Sequence, residues 1–180
     1  MKKKNYLLIF SAILLFTLLM LRFATRTKFI SGSDQLYDIA IQYLLDHDNS
    51  PYKATEKDYQ AFADYEGFGI TEDNEYRYVY MWILDESFYV DENNKIRVGT
   101  GGSMPYKFYF KKDADEVVKY EIPKDGTEYA PSIKRMFPSS VARKMLKISS
   151  FDDSKIKAQL KEHYNYLEDT EIYYSDGSTR

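Results

Sequence analysis

Tyr76-Arg77-Tyr78-Val79-Tyr80-Met81-Trp82-Ile83-Leu84 decides the fold class. The run is long, aromatic and branched, and it follows the acidic turn Glu72-Asp73-Asn74-Glu75, which marks it as a β-strand. Working towards the C-terminus, Ser87-Phe88-Tyr89-Val90 and Lys95-Ile96-Arg97-Val98 flank the turn Asp91-Glu92-Asn93-Asn94, which predicts a hairpin. Gly99-Thr100-Gly101-Gly102-Ser103 punctuates the chain. Met104 to Phe110 is the next expected strand, Lys111 to Asp115 its turn, and Val117 to Ile122 the last strand. The connections are short, so the strands are expected to form an antiparallel meander of about four or five.

On the N-terminal side the period differs. Leu36, Ile39, Ala40, Tyr43 and Leu44 recur at helical spacing after Asp34, and Asp46-His47-Asp48-Asn49-Ser50-Pro51 ends that helix. Residues 52–73 read equally as helix or loose strand, with Gly67 and Gly69 suggesting a break. Beyond the sheet, Tyr129 to Phe137 suits a short helix with Pro131 in its first turn. Ser139 or Ser140 is expected to cap a helix over Val141 to Ile148, and Asp152 another reaching Glu168. The expected fold is therefore α+β: an N-terminal helix, an antiparallel sheet and C-terminal helices, by analogy with cystatin or NTF2-like folds.

The chain has 180 residues, enough for one domain and an anchor. Met1-Lys2-Lys3-Lys4 precedes the uncharged segment Asn5 to Leu21, which Arg22 closes. Such a segment is short for a membrane span and long for a signal peptide. Arg22-Phe23-Ala24 is a poor cleavage site, so residues 1–22 are expected to stay as an anchor, N-terminus inside and C-terminus out. Residues 23–33 are the expected stalk, 34–168 an extracytoplasmic domain and 169–180 a flexible tail.

The absence of cysteine excludes disulfides, thiolate metal sites and a cysteine nucleophile. For an extracellular domain it also suits a single-membrane bacterium. Six of the 25 basic residues and none of the 28 acids fall in residues 1–28, which leaves 19 against 28 and a net charge of −9 for the rest. Such a charge argues against a nucleic-acid partner.

No catalytic constellation stands out. The glycine-rich stretch lacks the following helix that phosphate binding requires, and it reads as a strand connection or bulge needing positive φ. Ser50-Pro51-Tyr52-Lys53 and Ser154-Lys155-Ile156-Lys157 match a Ser-x-x-Lys pattern without its partner motifs. His47 and His163 are the only histidines, and no metal-ligand or calcium-loop spacing appears, so neither metal nor cofactor is expected. The 18 tyrosines suit a β-rich core with wet edges; the functional alternative is an aromatic binding surface. Its candidate residues are Tyr78, Tyr80, Trp82 and Tyr106, with Asp125 and Tyr129 in the connection that follows.

Tyr120 to Pro138 contains Pro123-x-Asp125-Gly126-x-x-Tyr129-x-x-x-Ile133-x-x-x-Phe137-Pro138. This block resembles one in uncharacterised extracytoplasmic domains of Firmicutes, some of them C-terminal parts of proteins related to beta-lactam-sensing antirepressor metallopeptidases. Ile41 to Leu45, Val79-Tyr80 and Ser103-Met104-Pro105 agree in order, and the resemblance spans residues 34–150. It carries over no peptidase part and no serine–lysine site; it implies only a small extracytoplasmic domain. By its own chemistry, Asp125-Gly126 makes a turn, and Tyr129, Ile133, Met136 and Phe137 latch a helix to the sheet. The expected function is a non-catalytic, sensor-like module binding a small ligand or an envelope protein. An envelope hydrolase or transferase using Asp, Glu, Ser or His, and a structural assembly protein, are the alternatives.

Overall fold

The computed structural model describes residues 28–31, 34–47, 59–167, 171–174 and 179. The expected anchor, most of the stalk, the first Ser-x-x-Lys match and the Asp48 to Pro51 helix end lie outside them. No helix among the described residues is long and apolar enough to cross a membrane.

The elements run β1 (Lys28–Ile30), α1 (Asp34–His47), β2 (Gln60–Glu72), β3 (Tyr76–Val90), β4 (Ile96–Lys111), β5 (Val117–Glu121), a 3-10 turn (Gly126–Glu128), α2 (Tyr129–Met136), α3 (Ser139–Met145), α4 (Ser154–His163) and β6 (Ile172–Tyr173). The fold is α+β. Strands β1 to β5 form an antiparallel meander in chain order. The expected four or five strands become six, because β6 adds in parallel beside the start of β4.

β3 explains why the sheet needs two covers. Successive side chains on a strand point to opposite faces. Val79, Met81 and Ile83 bury one face under Leu36, Ala40 and Leu44 of α1. Tyr80 and Trp82 bury the other under Ile133, Phe137, Val141 and Met145 of α2 and α3. Farther along that second face, Phe88 and Ile96 meet Ile156, Leu160 and Tyr164 around α4, together with Ile172. A strand that is apolar on both sides must be sandwiched.

Several expectations change. The strands on either side of Asp85-Glu86 are one, Tyr76–Val90, and those on either side of Gly99 to Ser103 are one, Ile96–Lys111. The glycine-rich stretch is therefore strand, with a bulge that sets Gly99 and Thr100 against Ser87. None of its glycines has positive φ; among the described glycines only Gly69 and Gly126 do. Gly99 is instead required by close approach: a Cβ there would lie 2.5 Å from the Tyr59 ring. Ser87 Oγ closes the bulge, accepting from Thr100 N–H at 3.0 Å and donating to Thr100 O at 3.2 Å.

Residues 60–72 resolve as strand β2. The three-residue spacing of Phe62, Tyr65 and Phe68 mimics a helix because both faces are covered: a step of three in a strand switches sides. Gly67 and Gly69 do not break the strand. They bracket a bulge, where Gly69 takes φ +110°.

The C-terminal helices are shorter than expected. Neither Ser139 nor Ser140 caps α3 through its side chain; the Pro138 carbonyl accepts the Ala142 N–H at 2.9 Å instead. α4 ends at His163 rather than Glu168, although Asp152 does accept the Ser154 N–H at 3.0 Å. Two segments read as irregular join the sheet. Lys28–Ile30, at the end of the expected stalk, pairs with Glu72, Thr71 and Ile70. Ile172, in the expected flexible tail, pairs with Ile96 and is 2% exposed, because it completes the core under α4.

Candidate functional site

The sheet face beneath α2 to α4 carries most of the residues singled out from sequence. Tyr80 is core: its hydroxyl meets Thr71 Oγ1 at 2.7 Å and its ring abuts Phe137 at 5.8 Å. Trp82 donates its indole N–H to Ser103 Oγ at 2.8 Å. Tyr78, half-buried, donates to Asp73 Oδ2 at 2.5 Å. Tyr129 packs partly buried against the same cluster, and exposed Asp125 stands in the turn before it. Burial first, and then the Asp125 charge, push the Tyr129 phenol up.

Tyr106 does not join them. It pairs with Met81, on the face under α1, and lies buried and stacked on Phe108 at 5.7 Å. The odd–even alternation of a strand separates it from Tyr80 and Trp82 by the thickness of the sheet.

What the fold builds around Trp82 is a cleft. The connection from α3 to α4 arches over β3 and β4 and encloses about 380 Å³. Trp82 and Leu84 form the floor, Ile148 and Phe151 the apolar wall, and Ser103, Ser149, Ser150 and Asp153 the polar rim. Lys157 Nζ holds Asp153 at 3.3 Å. Trp82 is the one lining residue that the sequence marks as a binding candidate. The remaining lining comes from a loop that the fold carries back over the sheet, and the Ser149-Ser150 pair between two helical stretches was the one signal available.

The other candidate chemistry is absorbed by structure. The second Ser-x-x-Lys match gives its lysines to ion pairs: Lys157 to Asp153, and Lys155 to the buried Asp64 at 2.8 Å. His47 Nδ1 lies 2.9 Å from the Tyr43 carbonyl, and its ring stacks on Tyr43. His163 sits exposed, edge-on to Phe62 and Tyr164.

Beyond α2 the same face continues as an aromatic and charged floor. Tyr76, Tyr78 and Tyr109 pack mutually with centroids 5.1–6.2 Å apart. Lys107 Nζ lies 4.6 Å from the centres of Tyr78 and Tyr109, and Lys119 Nζ 4.3 Å from Tyr109. These are cation–π distances. Burial, then the nearby Lys119, depress the Lys107 ammonium against the pull of Glu121 and Asp73. Burial raises the Tyr78 and Tyr109 phenols, and the carboxylates of Asp73 and Glu121 raise them further. On the opposite face, burial and Asp38 push Tyr65 up to about 12.

These shifts set the alkaline behaviour. A tyrosine whose folded value exceeds the ordinary 10.0 keeps its proton longer when folded. Its contribution is fully present below that pH and is lost as pH rises through the folded value. Lys107 acts oppositely, since its burial penalty is relieved as pH rises, but the raised tyrosines outnumber it. Melting temperature followed by circular dichroism is expected to be flat through neutral pH and to fall once pH passes 10. The double variant Tyr78→Phe, Tyr109→Phe should show a shallower fall. An equal slope would remove these two phenols from the account.

No family model, no curated protein and no solved structure matches the chain.

Proposed function

We propose that this domain is a non-catalytic binding module of a bacterial cell surface, held at the membrane by residues 5–21 and taking a small ligand in the cleft under the α3–α4 connection. The cleft itself carries the reading: an aromatic and aliphatic floor with a hydroxyl rim, in a volume of about 380 Å³. Small-molecule sites combine apolar walls with a few polar groups that fix orientation, at volumes from about 300 Å³ upwards. The lining supplies three serines and one carboxylate and no histidine. With the rim carboxylate already met by Lys157, that chemistry suits a compact, uncharged ligand with one apolar face and hydroxyl or amide groups for the serines.

Trp82 is the chain's single tryptophan beside 18 tyrosines, so emission excited at the red edge of indole absorption, where tyrosine does not absorb, reports on the floor of the cleft. A panel of neutral sugars and short peptides is expected to include a binder that shifts this emission saturably. Ser150→Phe, at an exposed rim position, should weaken that binder by about tenfold or more. A ligand that binds the protein without moving Trp82 emission, or binds Ser150→Phe equally well, would place the site elsewhere.

A further inference from the structure

Charge is distributed unevenly over the folded domain. Residues 129–151 contain Lys134, Arg135, Arg143, Lys144 and Lys147 and no acid. Without these five, residues 29–180 carry 14 basic residues against 28 acidic ones, a net charge of −14. All five are exposed, because the hairpin of α2 and α3 buries Ile133, Phe137, Val141 and Met145 against the sheet and turns the rest outwards. Arg135 is met by Glu128 at 3.2 Å, an exposed pair.

Between the basic side chains lies an apolar groove of about 500 Å³, lined by Lys134, Ser139, Ala142, Arg143, Leu146 and Lys147. Leu146 is 37% exposed beside it. Basic side chains framing exposed aliphatic surface match the interface of an anionic bilayer, where headgroups meet the ammonium and guanidinium groups and acyl carbon meets the leucine.

The chain's own connectivity puts a bilayer within reach, if residues 5–21 anchor it as proposed above. Residues 22–27 separate that segment from β1 by at most about 25 Å. Phe29 of β1 is half exposed and stands opposite Thr71, on the sheet face that carries Tyr78, Tyr80 and the basic hairpin. We propose that the α2–α3 face rests on the anionic headgroups of the bilayer that holds residues 5–21. The remaining surface, strongly acidic, is repelled by the same headgroups, so one orientation is selected.

The absence of cysteine makes the test direct. Full-length chain carrying Leu146→Cys or, as a reference in the β3–β4 turn, Asn93→Cys is labelled with an environment-sensitive fluorophore. It is then reconstituted in phosphatidylcholine vesicles with or without about 30% phosphatidylglycerol. The label at 146 should shift to the blue and be quenched by headgroup spin labels in the anionic vesicles. It should lose this effect in neutral vesicles, in high salt, and when Lys134→Gln, Arg143→Gln and Lys147→Gln are combined. The label at 93 should stay in water throughout. Equal responses at 146 in neutral and anionic vesicles, with the chain resisting carbonate extraction, would overturn the docking while leaving the anchor standing. Release of the chain by carbonate would overturn the anchor and the docking with it. Protection of 146 in native membranes but not in pure anionic vesicles would assign the face to a protein partner and overturn the lipid proposal.

Discussion

Phe108→Ala is expected to destabilise the domain by about 3–5 kcal/mol. Phe108 is fully buried and central to the sheet: it pairs with Val79 on one side and Tyr120 on the other. Its ring stacks on Tyr106 with an interplanar angle of 17° and packs in the layer beneath α1. Both neighbouring strands are held by their own ladders, so the sheet cannot collapse to fill the vacated volume, and the cavity term adds to the lost transfer energy. Against a typical total of about 5–15 kcal/mol, this loss is a large fraction. Urea denaturation with unchanged slope and a much lower midpoint is the expected observation. A loss below about 1 kcal/mol would mean that α1 does not seal this face.

Ile172→Ala carries the second large effect, about 2–3 kcal/mol, and it tests a segment with no strand-like length of its own. β6 has only two residues, Ile172–Tyr173, and its ladder with Ile96 and Arg97 is too short to hold by hydrogen bonding. What holds it is the Ile172 side chain, 2% exposed among Phe88, Ile96, Ile156 and Leu160, assisted by Lys95 and Arg97 close to the Tyr173 ring. The same urea titration is expected to show the loss. The exposed neighbour Glu171→Ala should change stability by less than about 0.5 kcal/mol. If the two variants behave alike, the C-terminal segment does not contribute to the core.

The two variants probe the core at positions of different legibility. Phe108 lies in Met104 to Phe110, an aromatic run that reads as strand on composition alone. Ile172 is one apolar residue in a polar stretch, and nothing local distinguishes it from a frayed end. Its role depends on Phe88 and Leu160, far away in sequence, leaving a gap beneath α4.

The candidate site divides the same way. The aromatic strand around Tyr78, Tyr80 and Trp82 was legible, and so was the packing of Ile133 and Phe137 after the Asp125-Gly126 turn. The face each aromatic occupies was harder to read. Tyr106 and Trp82 belong to adjacent strands, yet register places them on opposite sides of the sheet. A pairing shifted by one residue would have reversed this, and register is a long-range property set by both covered faces together.

The sequence alone determined the α+β class, the antiparallel run of the central strands and the helical stripes, because these follow from local periodicity and short connections. Tertiary structure decided what happened where local signals compete. The glycine-rich stretch became a continuous strand because Tyr59 packs against Gly99 and Ser87 closes the bulge. Residues 60–72 became a strand because helices cover both sides of the sheet. The cleft over Trp82 exists only because the α3–α4 connection returns across β3 and β4. Burial by distant residues outweighs propensity at each of these places, and no window of neighbouring residues contains that energy.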